Sequence, residues 1–418
     1  MLILYNFGIK IYYFFIFILK YFNKKAKLWF DGRVGIFDNI ASKVDPTVKK
    51  IWFHFASLGE FEQGRPVLEE MRKIYPDKKI LITFFSPSGY ELRKNYAGAD
   101  YIFYLPMDTA SNARRFLKLV NPEIVIFTKY EFWYHYFRQL HQSNVPLYLI
   151  SGIFRPNQPF FKWYGSFNRK ILSFVSHFFV QDEGSKELLK AIGITNVTVS
   201  GDTRFDRVAE NAAAPKRFEL VERFCYNSKV FVGGSTWPPD EKLLAELVAK
   251  YSDWKFVFAP HEIKADKINA LIGLLPANTT VKYSEIKNLT GRDDIDQAIR
   301  GRSVLIIDNI GMLSSLYQYG KVSYIGGGFG VGIHNTLEAA AFGIPVIFGP
   351  NFSKFLEAKA LIANGGGFTI SNSGELLEIM GKLQSEEFRS KAGNAAEFYV
   401  EKSKGATGTI LKYIEGKV

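Results

Sequence analysis

The chain has 418 residues, enough for two or three domains, and its 47% hydrophobic and 16% aromatic content supports large packed cores and excludes a disordered protein. A single cysteine, Cys225, excludes a disulfide framework and fits a reducing compartment. With 53 Lys and Arg against 41 Asp and Glu, the formal charge of +12 favours anionic partners: nucleic acid, phospholipid headgroups or phosphorylated substrates.

The N-terminus narrows that choice to an anionic membrane surface, with no nucleic acid. Leu2 to Phe22 is almost wholly apolar or aromatic, long enough as a helix to cross a hydrocarbon core. No small-residue cleavage site follows it, which favours a retained anchor over a removed signal peptide. Lys20, Lys24, Lys25 and Lys27 would hold the rest of the chain on the cytoplasmic side. Lys10 interrupts the run and also suits a helix lying in the membrane interface. A buried helix of a soluble protein is the third option for this segment.

Beyond a linker, strand-like and helix-like segments alternate. Ile51 to Ala56, Lys79 to Phe84, Tyr101 to Leu105, Glu123 to Thr128, Pro146 to Ser151 and Phe178 to Gln181 read as strands. The pattern breaks near residues 202–228. It restarts with Lys229 to Gly233, Trp254 to Ala259, Ser303 to Ile307, Val322 to Ile325 and Ile344 to Phe348. Such alternation predicts βαβ units, parallel sheets and two doubly wound halves with a cleft between them. The expected domains are residues 1–30 (anchor and basic flank), 48–210 and 225–395, with a helical 396–418 that packs back across the halves.

Ligands of such sheets bind beyond the carboxyl ends of the strands, so the residues there are the candidates. Glu60 follows the first strand, where it can serve as a general base or merely favour a helix N-terminus. Glu131 follows the fourth strand and Arg155 the fifth. Arg204 can offset charge on a departing phosphate or pair with Asp202 or Asp206. In the second half Ser235 and Thr236 form a glycine-flanked turn before a helix opened by Pro238 and Pro239. Pro260 and His261 end the next strand; Gly311, Met312 and Leu313 follow another. The run from Gly326 to Pro350 carries glycines, then a helix predicted to start near His334 and Asn335, with Thr336, Leu337 and Glu338 on its first turns. Glycines allow close backbone approach, helix N-termini attract phosphate, and Glu338 can accept from ribose hydroxyls. No spacing of His, Cys, Asp or Glu suggests a metal site, and no cofactor is expected.

Taken together, these pieces resemble the 3-deoxy-D-manno-octulosonic acid (Kdo) transferases of Gram-negative bacteria. The resemblance runs through Phe55 to Glu60, Tyr104 to Asp108, Tyr130 to Trp133, Gly201 to Asp206, Gly234 to Thr236, Asp308 to Leu313 and His334 to Glu338. It implies an α/β GT-B fold, two Rossmann-like domains facing a cleft, at the cytoplasmic face of the inner membrane. It also implies transfer of Kdo from CMP-Kdo to a lipid A precursor with inversion, Glu60 being the base and Glu131 and Arg204 supporting the transition state. Ser235, Thr236, Pro260, His261, Gly311 to Leu313 and Asn335 to Glu338 would hold CMP-Kdo.

The chain departs from the family pattern at four places. Pro260-His261-Glu262 replaces a proline, arginine, histidine order, Met312 a glutamate, Arg204 a lysine and Lys129 an acidic residue. The competing readings are a soluble nucleotide-sugar 2-epimerase of the same architecture, which needs no anchor, and a non-catalytic membrane-associated nucleotide-sugar-binding protein.

Overall fold

Near-continuous apolar runs such as Lys50 to Phe55 are what strands covered by helices on both faces require. The computed structural model describes residues 1–417 and bears the alternation out. Its first sheet contains β1 (Lys50–Phe55), β2 (Lys79–Phe84), β3 (Tyr101–Tyr104), β4 (Pro122–Thr128), β5 (Leu147–Gly152), β6 (His177–Val180) and β7 (Val197–Val199). The second contains β8 (Lys229–Thr236), β9 (Trp254–Pro260), β10 (Thr280–Lys282), β11 (Val304–Ile306), β12 (Val322–Ile325), β13 (Val346–Phe348) and β14 (Gly367–Thr369). The spatial orders are β3-β2-β1-β4-β5-β6-β7 and β10-β11-β9-β8-β12-β13-β14. Every pairing is parallel.

Two compact units result. Unit 1 is Met1–Asp206 plus the segment from Gly405 onward; unit 2 is Arg207–Lys404. In unit 1 the side-chain alternation of the strands builds two cores. Trp52, Leu81, Val125, Leu149 and Phe178 face one side. Ile51, Phe53, Ile80, Ile124 and Phe179 face the other. The helix Ala406–Ile414 adds Ile410 and Ile414 to that second core. Asp206 pins its start by accepting from Thr407 N and Thr407 Oγ1, both at 2.8 Å. That is capping by a distant carboxylate, of a kind worth about 1 kcal/mol. The core of unit 2 gathers Phe231, Leu244, Phe256, Val304, Tyr324 and Ile347.

Three strands escaped the reading of the sequence: β7, β10 and β14, three residues each, at sheet edges. Boundaries also moved: the strand expected over Lys229 to Gly233 runs on to Thr236. The strand expected over Ile344 to Phe348 begins at Val346. The helix expected near His334 begins at Leu337, with Asn335 Oδ1 accepting from Leu337 N at 3.1 Å.

Candidate functional site

Each sheet reverses its strand order at one point, where crossovers leave in opposite directions and open a crevice. In unit 1 that point lies between β1 and β4. The segments leaving these two strands carry Glu60 and Glu131.

After β1 the chain turns at Ser57 into the helix Leu58–Ile74, with Glu60 in its first turn. Ser57 Oγ donates to Glu60 Oε2 and orients the half-buried carboxylate. The helix sits close on the strand ends: a Cβ at Gly64 would lie 2.4 Å from Phe55 Cε1 and 2.8 Å from Thr128 Oγ1. After β4, Lys129 adopts a left-handed conformation (φ 60°) and the chain reaches Glu131. Trp133 Nε1 donates to Glu131 Oε2 at 2.8 Å, and His54 Nε2 stands 3.3 Å from the same oxygen. Behind it, Trp52 Nε1 donates to Thr83 Oγ1, and that hydroxyl bonds His54 Nδ1, both at 2.8 Å. With Thr83 Oγ1 donating its hydrogen bond to Nδ1, the ring proton of His54 sits on Nε2 and is donated to Glu131. A buried relay thus holds this carboxylate in place, and nothing in the local spacing of residues 52, 54, 83 and 131 announced it.

Tyr130 precedes Glu131 in the chain and feels the charge of Glu60. Burial pushes its hydroxyl above the usual range; Arg155 opposes the rise, while Asp182 and Glu60 add to it. Arg204 takes the ion-pair option: its Nε and Nη2 hold Asp202 Oδ2 at 2.9 and 2.8 Å. Asp202 is buried and also receives Gln63 Nε2 at 3.2 Å, which ties the Arg204 segment to the helix of Glu60.

In unit 2 the order reverses between β8 and β12. Gly234-Ser235-Thr236, expected as a turn, instead forms the end of β8, with a break in register and Ser235 left-handed (φ 52°); the turn leaving β12 is Gly326-Gly327-Gly328. They touch backbone to backbone. Gly326 N donates to Gly234 O at 2.9 Å, and a Cβ at Gly326 would lie 2.2 Å from Ser235 O. A Cβ at Gly328 would meet the backbone of Gly349 at 2.6 Å. These glycines are demanded by the protein's own packing, whereas Gly311 (φ 86°) has open space around it. Buried Asp240 ties the turns together, accepting from Trp237 N and Gly327 N at 2.9 Å and from Tyr324 Oη at 2.7 Å.

Beside the turns stands a stack of three rings. Trp237 and His261 are 4.4 Å apart and 20° from parallel, and His261 and His334 are 4.7 Å apart. Trp237 Nε1 donates to His334 Nε2 at 3.1 Å, so His334 is neutral with its proton on Nδ1. Burial, then His261, pushes its pKa down to about 4. The other face of the stack is the exposed ring of His261.

The residues singled out in unit 2 divide by exposure. Ser235, Pro260, His261, Gly311, Leu313, Asn335 and Glu338 reach the surface at least in part; Thr236, Met312, Thr336 and Leu337 are buried. Thr236 Oγ1 donates to Glu241. Asn335 Nδ2 donates to Glu338 Oε1 at 3.1 Å, aligning the two polar side chains of that turn. Buried members of the set can meet a ligand only through the backbone.

A family model described as 3-Deoxy-D-manno-octulosonic-acid transferase (kdotransferase) matches residues 30–207. A 3-deoxy-D-manno-octulosonic acid transferase of Aquifex aeolicus is 28% identical over 80% of this chain and 86% of its own. One of Haemophilus influenzae is 24% identical over 92% of this chain and 90% of its own. Among solved structures, UDP-GlcNAc 2-epimerase from Neisseria meningitidis superposes with a TM-score of 0.60 over 87% of this chain and 99% of its own, at 18% identity. That likeness shows the fold alone: α/β, of the GT-B kind. Residues 30–207 thus match the Kdo transferase family model, and the chain is similar over most of its length to known Kdo transferases.

Proposed function

We propose that the protein transfers Kdo from CMP-Kdo to a lipid A precursor, in lipopolysaccharide core biosynthesis, at the cytoplasmic face of the inner membrane. The observation that carries this reading is the pair of carboxylates, Glu60 and Glu131, leaving the two strands where the sheet of unit 1 reverses. Glu60 takes the proton from an acceptor hydroxyl while that oxygen attacks the anomeric carbon of Kdo. The bond from that carbon to the cytidylate phosphate breaks, its electron pair leaving with CMP, and the configuration inverts. Glu131, oriented by His54 and Trp133, supports the charge that develops on the sugar. Arg204, shared with Asp202, offsets the departing phosphate.

Unit 2 holds the donor in this reading. Ser235, the backbone at Gly311 and the Asn335–Glu338 turn take phosphate and ribose, and the exposed face of His261 takes the cytosine ring. Thr236, Pro260, Met312, Leu313, Thr336 and Leu337 shape that site from behind. The test is incubation of the purified protein with CMP-Kdo and lipid A precursor, followed by mass spectrometry of the lipid. The reading expects whole Kdo increments on the acceptor. An unchanged acceptor, or epimerisation of a nucleotide sugar in its place, would overturn it.

A further inference from the structure

The helix Leu2–Leu19 has a mean hydropathy of 1.9 and is by length and composition able to cross a membrane. A crossing helix must have its ends on opposite sides of about 30 Å of hydrocarbon. Here both ends touch unit 1. Near the start, Tyr5 Oη donates to Asp108 Oδ2 at 2.5 Å, and Asn6 Oδ1 meets His135 Nε2 at 2.7 Å. In the middle, Ile9, Lys10 and Tyr13 roof a cavity of about 470 Å³ over Arg33, Met107 and Arg115. Toward the end, Tyr12 packs on Trp29 at 5.6 Å and Phe17 on Phe30 at 5.4 Å, and Lys20 Nζ stands 4.0 Å from the Phe30 ring centre. Residues 5, 6, 9, 12, 13, 17 and 20 form one stripe at helical spacing, so the helix lies along the unit over its length. Asp108 is buried, and its remaining bonds go to the backbone N–H groups of His135 and Tyr136. Drawing the helix into a bilayer would strip that carboxylate of Tyr5 and bare the aromatic faces beneath.

The opposite stripe is apolar and exposed: Ile3, Phe7, Phe14, Phe15, Ile18 and Phe22. A continuous face of this kind is not kept in water. Exposed Lys10, Lys24, Lys25 and Lys27 flank it, which matches anionic headgroups. A second exposed aromatic site lies nearby in the fold. Trp163 is 92% exposed and Tyr164 52%, and they precede Phe167, whose ring packs on Tyr5 at 5.5 Å. Trp and Tyr are the residues that settle at headgroup level.

We infer that Leu2–Leu19 lies flat in one leaflet of an anionic bilayer, latched to unit 1 through Tyr5 and Asn6, with Trp163 and Tyr164 as a second membrane contact. The inference does not depend on the proposed reaction. Its test uses the full chain carrying Cys225→Ser and a single added cysteine, labelled with an environment-sensitive nitrobenzoxadiazole. The positions are Ile3→Cys, Phe15→Cys, Phe22→Cys and Trp163→Cys, all exposed, bound to vesicles of phosphatidylethanolamine and phosphatidylglycerol. Depth-dependent quenching by nitroxide lipids is expected to place positions 3, 15 and 22 at one shared depth, about 5–10 Å into the headgroup and acyl boundary. Position 163 is expected to gain emission on binding. A depth that passes through the bilayer centre between positions 3 and 22 would overturn the flat placement. Unchanged emission at position 163 would overturn the second contact. Because the readout is membrane geometry, either failure leaves the proposed reaction untouched, and absence of turnover leaves this inference untouched.

Discussion

At the reversal point of unit 1 the groups offered to a ligand are side chains: the Glu60 carboxylate set by Ser57, and the Glu131 carboxylate set by His54 and Trp133. At the reversal point of unit 2 they are chiefly turns of backbone, held by Asp240 and packed glycine against glycine. In the proposed reading the same topology serves two kinds of chemistry. Proton transfer needs a titratable atom and tolerates its replacement structurally. Holding a phosphate needs N–H groups at close range, and those come only with a particular chain path. Substitutions of the unit 1 carboxylates should therefore remove reaction without disturbing the fold, and substitutions of the packed glycines of unit 2 should disturb the fold itself.

The sharpest break of that contrast is Glu60→Ala. Removing a general base lowers turnover by about 10²–10⁴-fold. CMP-Kdo binding by calorimetry and the urea midpoint should stay near wild type, since Glu60 is only half-buried. Turnover equal to wild type would refute the assignment of the base. A smaller effect is expected for Glu131→Gln, which keeps the shape and an acceptor for Trp133 while deleting the charge. Its turnover should fall about tenfold, a barrier change of about 1.4 kcal/mol, with KM for the donor unmoved.

In unit 2, Gly326→Ala drives a methyl group into Ser235 O. Overpacking of this sort costs about 3 kcal/mol. Cys225 supplies a gauge within unit 2: it is buried, and burial pushes its thiol up to about 12. Iodoacetamide at pH 8 should label it slowly in the wild type and in Glu60→Ala, and faster in Gly326→Ala. Equal labelling of all three would dissolve the contrast.

The mildest expected effect is on acid sensitivity, in which the units should agree. Burial pushes His177 in unit 1 and His334 in unit 2 down to about 4, with Lys417 and His261 as the respective second causes. In the unfolded chain each takes its proton near pH 6.5. Between these values the unfolded state binds more protons, so stability is complete above about pH 6.5 and declines as pH falls toward 4. His177→Gln and His334→Gln should each flatten the slope of urea midpoint against pH over that window. A slope unaltered by both changes would refute the buried neutral state.

What could be read ahead of the structure follows from range. The strand expected over Ile51 to Ala56 and found at Lys50–Phe55 announces itself because a strand buried on both faces is mostly apolar. β7, β10 and β14 are short edge strands with half-buried residues and need no such run. Glu60 and Glu131 were legible because the strand-end rule is local. The order of the strands, which makes those two ends neighbours, was not, because pairing joins residues far apart in the chain. The ring stack had the same difficulty: Trp237 and His334 are 97 positions apart. In the four-residue helix Leu337–Ala340 no periodicity could tell that Thr336 and Leu337 turn inward while Glu338 does not. Arg204 was undecided for another reason. A guanidinium two residues from an aspartate can point either way, and only the burial of Asp202 selects the pair.

The cap that Asp206 places on the helix Ala406–Ile414 also bears on biosynthesis. A ribosome adds residues in order, so the whole of unit 2 emerges before Ile410 and Ile414 can enter the core of unit 1. The lobe translated first is thus the last to be completed, and until then it presents an open apolar seam that nascent-chain chaperones are suited to shield.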